Sequence, residues 1–489
     1  MARVMTEAGA SSPAAREPRQ PVPPLVVDLD GTLVASDLVL ESLLILAKRS
    51  LRRLFAVLLS LREGRARFKQ RLAREALPDA HTLPYNRALI AFLRAEKDQG
   101  RRLVLATGAD AAAAQAVADE LGLFDEVFAS DGATNLSGPK KRDRLVAAFG
   151  AQAFDYAGNS RADAPVFAAA RHAVLADPAP RLVRDLERTT EIAQVFVAEP
   201  PNRDTYLHAL RIHHWTKNLL VFLPLIAAHQ LYDGLLSARA LIAFLAFSLC
   251  ASSIYLVNDL LDLADDRAHP SKRERMLASG RLPLTRALAL APILAVAAFA
   301  VAFPLSHPFG DTLALYYALM LAYCLRLRGL MVVDALAVAG GYALRVVGGA
   351  VAVGLAVSPW ETMFSFLFFF GLTLLKRYAE LVTMHGMHGL SGKARAYLVQ
   401  DGARVAIFGC SAGYSALLLM GYYINTEQAA YPRHDLLWLL WVLLLYWFSH
   451  MWLMAGRGRI NGDPVAFALG DRTSLVVGGL ALIALLLAA

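Results

Sequence analysis

The chain has 489 residues, of which 56% are hydrophobic, and its mean hydropathy is +0.43. This composition is too apolar for an ordinary soluble enzyme and predicts an integral membrane protein. A formal net charge of +8 would also suit a nucleic-acid-binding protein. The basic residues cluster between apolar segments, however, so membrane head groups and phosphorylated substrates explain the charge better, and no nucleic-acid partner is expected.

The region before Tyr206 is charged and reads as a soluble domain. Residues 1–22 are rich in alanine, arginine, serine and proline and contain no apolar core, so we expect a disordered cytosolic tail rather than a signal peptide. Residues 23–180 alternate short apolar strands with helical stretches, which predicts a doubly wound, Rossmann-like parallel α/β sheet. Residues 38–95 interrupt the alternation with amphipathic helices, as an inserted helical cap would.

Two acids and a glycine turn follow the first apolar strand. The sequence Asp28-Leu-Asp30-Gly-Thr resembles motif I, D-x-D-G-T, of the haloacid dehalogenase superfamily. The resemblance implies that Asp28 is the nucleophile that accepts a phosphoryl group and that Asp30 is the general acid and base. It also implies that both acids take part in binding Mg²⁺.

Three further motifs of that superfamily follow in order. The strand 102–106 ends at Thr107, which the resemblance makes a phosphate ligand, and Lys141 is preferred over Lys140 as the stabilising charge. Asn159 and Asp163 match the motif that completes the Mg²⁺ shell. Asn159 stands where an active phosphatase usually carries aspartate. An active phosphatase and a degenerate docking domain therefore both remain open.

Residues 181–205 are charged and punctuated by proline, which predicts a linker. The rest of the chain, 206–489, is expected to be an all-α membrane domain, because apolar segments of about 17–22 residues recur along it. Nine such segments are predicted to span the membrane: 217–232, 238–257, 285–304, 311–327, 331–354, 360–379, 404–424, 434–454 and 472–488.

Lysine and arginine are unevenly distributed between the predicted loops. Sixteen of them lie in, or at the borders of, the loops that follow the second, fourth, sixth and eighth spans. Two lie in the opposite loops. By the positive-inside rule, these loops and the N-terminal domain are expected in the cytoplasm of a plasma-membrane protein.

An asparagine and four aspartates follow the apolar segment 241–257 directly. Asn258, Asp262 and Asp266 recur at intervals of four, so one helical face carries three oxygen ligands. Hard oxygens at this spacing suit Mg²⁺ holding a diphosphate, and charge beside a membrane span is costly, which disfavours a merely solvated loop. A basic cluster that could grip phosphate lies just beyond: Lys272, Arg273 and Arg275.

This stretch resembles the first signature, N-D-x-x-D-x-x-x-D, of the UbiA superfamily of membrane prenyltransferases. It is most similar to the decaprenyl-phosphate phosphoribosyltransferase-like branch, and the likeness covers about residues 206–489. It implies that Asp262 and Asp266 are essential to catalysis. Four other pieces match that branch: 214–224, 255–258, Val333–Asp334 with Leu344–Arg345, and 375–381.

The second signature of the superfamily usually has two acids, D-x-x-x-D. Here Asp334 is the first, but Val338 replaces the second. This loss disfavours a prenyl diphosphate donor and fits the phosphoribosyl branch. Arg345 lies within a span, where it needs a partner or an anionic ligand. With Asp334, the candidate residues for binding the lipid phosphate or the sugar phosphate are Lys217, Arg345, Lys376 and Arg377.

The resemblance implies a Mg²⁺-dependent enzyme that transfers 5-phosphoribose from phosphoribosyl diphosphate to a polyprenyl phosphate. The N-terminal domain suggests a second step, removal of the 5-phosphate. The alternative is a prenyltransferase that joins a prenyl diphosphate to an aromatic or other acceptor. A non-catalytic scaffold or transporter is a third interpretation, disfavoured by the dense acidic and basic residues. The sequence leaves assembly open, including a homo-oligomer.

Overall fold

The computed structural model describes residues 22–197, 199–388, 393–394, 396–426, 433, 435–460, 462 and 464–488. Apart from Val22, the tail expected at 1–22 lies outside the described residues. The chain divides into two compact units, Met1–Pro200 and Pro201–Ala489, and the break between them falls inside the segment that was expected to be a linker.

The N-terminal unit contains a six-stranded parallel sheet in the order β3-β2-β1-β4-β5-β6. Its strands are β1 (Leu25–Val27), β2 (Leu103–Asp110), β3 (Glu126–Ser130), β4 (Asp155–Gly158), β5 (His172–Ala176) and β6 (Glu191–Phe196). Its α-helices are α1 (Leu38–Arg49), α2 (Leu51–Leu59), α3 (Arg65–Glu75), α4 (Arg87–Asp98), α5 (Ala111–Leu121), α6 (Pro139–Phe149), α7 (Ala164–Ala169) and α8 (Pro180–Leu186). The predicted parallel α/β fold is confirmed.

The central strands place their carboxyl ends at one edge of the sheet. Residues of β1 and β4 are buried, as expected for a parallel sheet covered on both faces. Val27 lies beside Leu105 of β2 and Ala157 of β4. The chain order reverses on either side of β1, and open α/β sheets bind ligands at the carboxyl edge beside such a switch point.

The inserted cap between β1 and β2 consists of α1, α2 and α3, and it is therefore shorter than the cap expected at 38–95. Helices α1, α2 and α3 pack around a separate apolar cluster that includes Leu46, Val57 and Phe68. By contrast, Leu89 and Leu93 of α4 belong to the main core of the sheet. Helix α4 is therefore one of the layers that cover the sheet.

The segment expected to be a linker also contains regular structure. Strand β6 pairs in parallel with β5 and extends the sheet by one strand. Much of β6 is exposed because it is an edge strand, and its charged and polar residues led the sequence argument to treat it as a connection.

Within the described residues, the regular structure of the C-terminal unit is helical, apart from two short antiparallel strands, Lys393–Ala394 and Tyr397–Leu398. Its α-helices are α9 (Arg203–Ala209), α10 (Leu223–Ala227), α11 (Gly234–Leu261), α12 (Leu263–Ala268), α13 (Leu284–Leu305), α14 (His307–Leu325), α15 (Val333–Val353), α16 (Pro359–His388), α17 (Gly402–Thr426), α18 (Asp435–Gly456), α19 (Pro464–Gly470) and α20 (Arg472–Ala488).

Within the described residues, five helices are long and apolar enough to cross a membrane: α11, α13, α15, α17 with its preceding turn, and α18. The predicted number of nine is not confirmed. The first predicted span, 217–232, is wrong as a continuous helix, because a 3-10 segment, Ile212–Phe222, precedes the short α10. Pro224 lies in the first turn of α10, where a missing backbone N–H is tolerated.

Small residues allow the membrane helices to pack closely. One face of α13 buries alanines at near-helical spacing, and these are Ala287, Ala291, Ala295, Ala298 and Ala302. The Ser253 hydroxyl of α11 donates to the carbonyl oxygen of Ala291 at 2.7 Å. Close helix contact through small side chains, with a hydroxyl bonded across it, is the usual packing mode where the surroundings are apolar.

Candidate active sites

In the N-terminal unit, Lys141 joins residues from three elements at the carboxyl edge of the sheet. Its Nζ atom donates to Asp28 Oδ1 at 2.8 Å, to the Tyr156 hydroxyl at 2.9 Å and to Asp163 Oδ1 at 3.1 Å. Burial disfavours the ammonium, but the two carboxylates outweigh burial and raise the pKa of Lys141. The preference for Lys141 agrees with this position, and Lys140 is exposed.

The two acids after β1 have different surroundings. Burial raises the pKa of Asp28 to about 6, although the neighbouring Lys141 charge opposes the shift. Burial, reinforced by the charge of Asp37, raises the pKa of Asp30 to about 7. One oxygen of Asp30 accepts from the Leu38 backbone N–H at 2.9 Å. A carboxyl group with a pKa near neutrality can give and take a proton at physiological pH, as a general acid and base must.

Asn159 lies directly against the motif I turn. Gly31 has a φ of +72°, and a Cβ atom added there would lie 2.2 Å from Asn159 Nδ2. Glycine therefore serves two purposes here, since it adopts the left-handed conformation and leaves room for the amide. The same contact places the Asn159 side chain next to the loop that carries Asp28 and Asp30.

The remaining predicted residues of this site are buried. The Thr107 hydroxyl accepts from the Ala109 backbone N–H at 3.0 Å. Asp163 accepts from Lys141, from Tyr156 at 2.9 Å and from Ser160 at 2.8 Å. This dense bonding means that Asp163 orients Lys141 and Tyr156.

Two contributors to this site had no assigned role in the sequence argument. Tyr156 bridges Lys141 and Asp163, and its place inside the fourth motif was the available signal. Lys69 of the insertion donates to the Gly108 carbonyl oxygen at 2.6 Å and to Asn135 Oδ1 at 3.0 Å. No local pattern marked Lys69, because its partners are 39 and 66 residues away.

The donor chemistry of this edge fits Mg²⁺. Asp28, Asp30 and Asn159 supply oxygen atoms, which this hard cation prefers. The described residues contain no group of three histidine, cysteine, aspartate or glutamate side chains arranged for a metal, so an ion at this edge would also need the amide oxygen of Asn159. Asp28, Asp30 and Asn159 are the residues that would hold the ion. Asp163, which the resemblance also implies as a ligand, has both carboxylate oxygens engaged by Lys141, Tyr156 and Ser160.

In the C-terminal unit, the signature aspartates form ion pairs with Arg328, which is 66 residues from Asp262, and with Arg275, which is nine residues from Asp266. Arg328 binds both carboxylate oxygens of Asp262, with one contact at 2.6 Å, and donates to Asn258 Oδ1 at 3.3 Å. Arg275 donates to Asp266 Oδ2 at 2.6 Å. The three predicted ligands therefore lie in one polar cluster at the end of α11.

Asp259 was not assigned a role from the sequence, yet it belongs to this cluster. It is buried and accepts from Arg275 at 3.3 Å and from Arg211. Its place as the acid of the Asn-Asp pair was a signal. Nothing in the local sequence indicated that Arg211 and Arg328 would pair with these acids. The basic cluster is divided, since Arg275 contacts the aspartates whereas Lys272 and Arg273 are exposed.

Asp334 forms a second polar cluster with Arg377. Arg377 Nε donates to Asp334 Oδ2 at 2.7 Å, and the Tyr397 hydroxyl donates to Oδ1 at 2.6 Å. Arg377 also contacts Glu380 at 3.1 Å and the Tyr323 hydroxyl at 3.4 Å. Because Asp334 is completely buried with both oxygens engaged, it holds Arg377 in place.

Arg345 is buried among neutral partners. Its guanidinium donates to Asn218 Oδ1 at 2.7 Å, to the Gly341 carbonyl oxygen at 2.7 Å and to the Tyr316 hydroxyl at 2.9 Å. It also lies over the ring of Tyr342, 5.4 Å from the centroid. The partner that a mid-span arginine needs is thus supplied by the protein itself.

A cavity of about 110 Å³ lies between α15 and α16. Its lining includes three of the predicted phosphate-binding cations, Lys217, Lys376 and Arg377, together with Val338 and Tyr323. The signature aspartates are not among its lining residues. Val338, which replaces the second acid, is uncharged, so the charged lining residues of this cavity are the cations Lys217, Lys376 and Arg377. Its chemistry suits an anion such as a phosphate.

The donor chemistry around the signature aspartates also fits Mg²⁺. Asn258, Asp262 and Asp266 contribute only oxygen atoms, the ligand type this ion prefers. Their present partners are arginines, whose charge a metal would replace. The adjacent guanidinium groups could then pair with the phosphate groups of a bound diphosphate.

Comparisons with known proteins agree with the division of the chain into an N-terminal and a C-terminal unit. Residues 220–384 match the UbiA prenyltransferase family, and residues 25–168 match the haloacid dehalogenase-like hydrolase family.

Three relatives show how far the similarity extends. The uncharacterised protein y4nM of Sinorhizobium fredii is 32% identical over 461 residues, covering 94% of this chain and 89% of that protein. Nodulation protein NoeC of Azorhizobium caulinodans is 34% identical over 283 residues, 57% of this chain and 91% of that protein. The decaprenyl-phosphate phosphoribosyltransferase of Mycolicibacterium smegmatis is 38% identical over 205 residues, 40% of this chain and 64% of that enzyme.

The match to the first relative covers both units, whereas the matches to the other two relatives cover only part of the chain. The protein is therefore a multi-pass membrane member of the UbiA prenyltransferase family that carries a haloacid dehalogenase-like domain at its N-terminal end.

Proposed function

We propose that the C-terminal unit transfers 5-phosphoribose from phosphoribosyl diphosphate to a polyprenyl phosphate, with decaprenyl phosphate as the reference acceptor. The observation that carries the proposal is the cavity in which Lys217, Lys376 and Arg377 accompany Val338. An enzyme that uses a prenyl diphosphate as donor would be expected to carry a second acid at position 338. The partial similarity to a decaprenyl-phosphate phosphoribosyltransferase supports the same choice.

The aspartate cluster is assigned to the diphosphate of the donor. Asn258, Asp262 and Asp266 would hold Mg²⁺, which when bound neutralises negative charge on the diphosphate leaving group. Arg275 and Arg328 already lie within hydrogen-bonding distance of those acids. They are placed to pair with diphosphate oxygens and to stabilise the charge that develops as the bond breaks.

The basic cavity is assigned to the lipid phosphate. Lys217, Lys376 and Arg377 would orient it so that one of its oxygens attacks the anomeric carbon of the donor. The bond from that carbon to the diphosphate oxygen breaks as the new bond forms, so the anomeric configuration inverts. No protein base is required, because a phosphate monoester is already ionised at neutral pH.

The N-terminal unit is assigned to the next step, hydrolysis of the ribose 5-phosphate. The Asp28 carboxylate attacks phosphorus while Asp30 gives its proton to the departing ribose oxygen. Asp30 then accepts a proton from the water that attacks the aspartyl phosphate, which releases phosphate and restores Asp28. Thr107 and Lys141 are assigned to the phosphate oxygens, and Mg²⁺ held by Asp28, Asp30 and Asn159 would add positive charge there.

This sequence of reactions requires both units to face the compartment that contains phosphoribosyl diphosphate. We therefore place the N-terminal unit and the transferase site on the cytoplasmic side of the plasma membrane. The excess of lysine and arginine in the corresponding loops supports this orientation.

A radiochemical assay tests the proposal. Full-length protein in lipid nanodiscs is incubated with ribose-labelled phosphoribosyl diphosphate, decaprenyl phosphate and Mg²⁺, and the lipids are then extracted and separated. Labelled lipid that requires both substrates is the expected result. A parallel reaction contains a labelled prenyl diphosphate and an aromatic acceptor. Product in that reaction alone would establish the prenyltransferase alternative and refute the phosphoribosyl assignment.

A further inference from the structure

Helix α2 of the insertion exposes an apolar surface that the N-terminal unit leaves uncovered. Leu51, Phe55 and Leu59 are 49%, 66% and 44% exposed, and Leu58 beside them is 37% exposed. These positions are spaced by one or two helical turns, so the four side chains form one continuous arc along the helix. We refer to Leu51, Phe55, Leu58 and Leu59 as the α2 apolar arc.

The α2 apolar arc is distinct from the face by which the helix packs. Val57 is buried in the cluster that also holds Leu46 and Phe68, and Leu54 packs against the same cluster. Helix α2 therefore carries apolar side chains both where it packs and where it is exposed. A surface helix normally places polar residues on the side that faces water.

The charges beside the arc are mainly basic, although Glu63 follows the segment directly and pairs with Arg67 and Arg71. Residues 48–62 contain five basic side chains and no acidic ones, and the basic residues are Lys48, Arg49, Arg52, Arg53 and Arg62. Arg53 reaches Glu75 at 3.4 Å, but both side chains remain largely exposed. An exposed apolar strip flanked by arginine and lysine is typical of helices that lie in the interface of a membrane containing anionic lipids.

We propose that α2 lies in the head-group region of the bilayer, with the α2 apolar arc directed toward the acyl chains and its arginines bound to anionic lipid phosphates. The same chain carries the membrane-spanning helices, so this domain is tethered to the bilayer. A second protein surface of suitable shape would satisfy the apolar side chains, but the excess of positive charge favours lipid phosphate. The inference does not depend on either proposed catalytic activity.

Fluorescence quenching in the full-length protein tests this inference. Cys250, Cys324 and Cys410 are first replaced by serine or alanine, and an environment-sensitive nitrobenzoxadiazole label is attached in separate variants to Phe55→Cys and Leu58→Cys. Arg74→Cys is the control, because Arg74 is exposed on α3 of the same insertion and outside the arc. The proteins are reconstituted in vesicles of phosphatidylcholine with or without 30% phosphatidylglycerol.

We expect spin-labelled lipid to quench the labels at 55 and 58 at least threefold more than the label at 74, and aqueous iodide to show the reverse order. Adding Arg52→Glu should reduce the lipid quenching in vesicles that contain phosphatidylglycerol. Strong iodide quenching at 55 and 58 would show that the arc faces water. Protection from both quenchers would show that protein covers it, either the membrane unit or a second copy. Either result would overturn the inference.

Discussion

The carboxylates at the end of α11 and in α12 are balanced by arginines, of which Arg211 and Arg328 come from distant parts of the chain. Asp262 forms an ion pair with Arg328, and Asp266 forms one with Arg275. Asp259 forms ion pairs with both Arg211 and Arg275. Buried acids of this kind would be costly without compensating charge. The arrangement therefore explains how the protein keeps several acids beside an apolar helix. It also supplies both signs of charge that binding of a metal and a diphosphate requires.

Replacing Asp262 tests this cluster. Asp262→Ala removes a proposed Mg²⁺ ligand and leaves Arg328 without its bidentate partner, so phosphoribosyl transfer should fall by at least about 10²-fold. The matched control is Asp265→Ala, which removes an exposed carboxylate three residues away. Transfer is measured at several Mg²⁺ concentrations, and excess Mg²⁺ should restore activity only in part. Equal activity in the two variants would rule out a metal ligand at position 262.

Asn159 is the clearest departure from an active phosphatase, and its amide lies against Gly31. Asn159→Asp adds a negative charge beside Asp28 and Asp30, so we expect the Mg²⁺ concentration for half-maximal phosphatase activity to fall about tenfold. The readout is phosphate release from a soluble phosphomonoester by the full-length protein.

The control for this experiment is Asn202→Asp. Asn202 caps α9 at an exposed position, and aspartate is an equally good N-cap, so this change adds the same charge without disturbing the helix. An unchanged Mg²⁺ dependence in Asn159→Asp would mean that position 159 does not contact the ion, and the degenerate docking domain would become the better interpretation.

At the level of secondary structure, the contact between α15 and the 3-10 segment determines where Lys217 lies. A Cβ atom added to Gly349 of α15 would lie 2.0 Å from the Val221 carbonyl oxygen. Because that neighbour is backbone, it cannot move aside as a flexible side chain can. Glycine at this position lets the segment that carries Lys217 and Asn218 approach α15 closely.

Gly349→Ala should therefore destabilise the membrane unit by about 1–3 kcal/mol and weaken transfer by displacing Lys217. The control is Gly340→Ala in the same helix, where the nearest atom to an added Cβ is Leu319 Cδ2 at 3.3 Å. Its effect on stability should be small, since the end of a leucine side chain can adjust. Thermal unfolding in nanodiscs measures both variants, and equal stability would contradict the close contact.

The elements differed in how well the sequence predicted them. Long apolar runs marked α11, α13 and α15 because a membrane helix must be apolar over its whole length. The same reasoning failed for 217–232, where apolar content could not distinguish a long helix from a 3-10 segment followed by a short one. It also missed β6, an exposed edge strand whose polar residues resemble those of a loop.

The sites show the same limit in another form. Local motifs led to the prediction of Asp28, Lys141 and Asp262 as site residues, since the spacing of these residues in the chain reflects the proposed chemistry. The long-range partners could not be predicted in this way. Arg328 is 66 residues from Asp262, and Arg211 is 48 residues from Asp259. Such pairs depend on the packing of whole helices, which a single sequence does not reveal.

At the scale of the whole molecule, the fusion of the two units has a chemical rationale. The proposed transfer produces a lipid that still carries a 5-phosphate, and the haloacid dehalogenase-like unit is of the class that removes phosphate. The membrane-bound product cannot diffuse into the cytosol, so a hydrolase in the same chain would meet it at high effective concentration. The two chemistries should nevertheless be separable, because their proposed groups lie in different compact units.

Asp28→Asn separates them. The amide keeps nearly the shape of the carboxylate but is a poor nucleophile, so the protein should still transfer phosphoribose at the wild-type rate and should accumulate phosphorylated ribosyl lipid. Wild-type protein should instead accumulate the dephosphorylated lipid, and mass spectrometry of the extracted lipids distinguishes the two products. Asp262→Ala gives the complementary result, loss of both lipids with phosphatase activity on a soluble phosphomonoester retained. If wild type and Asp28→Asn yield the same phosphorylated lipid, the N-terminal unit does not act on this product. The contacts of Asn159 with Gly31 would then mark a site that retains the fold of a phosphatase while lacking the charge needed for its reaction.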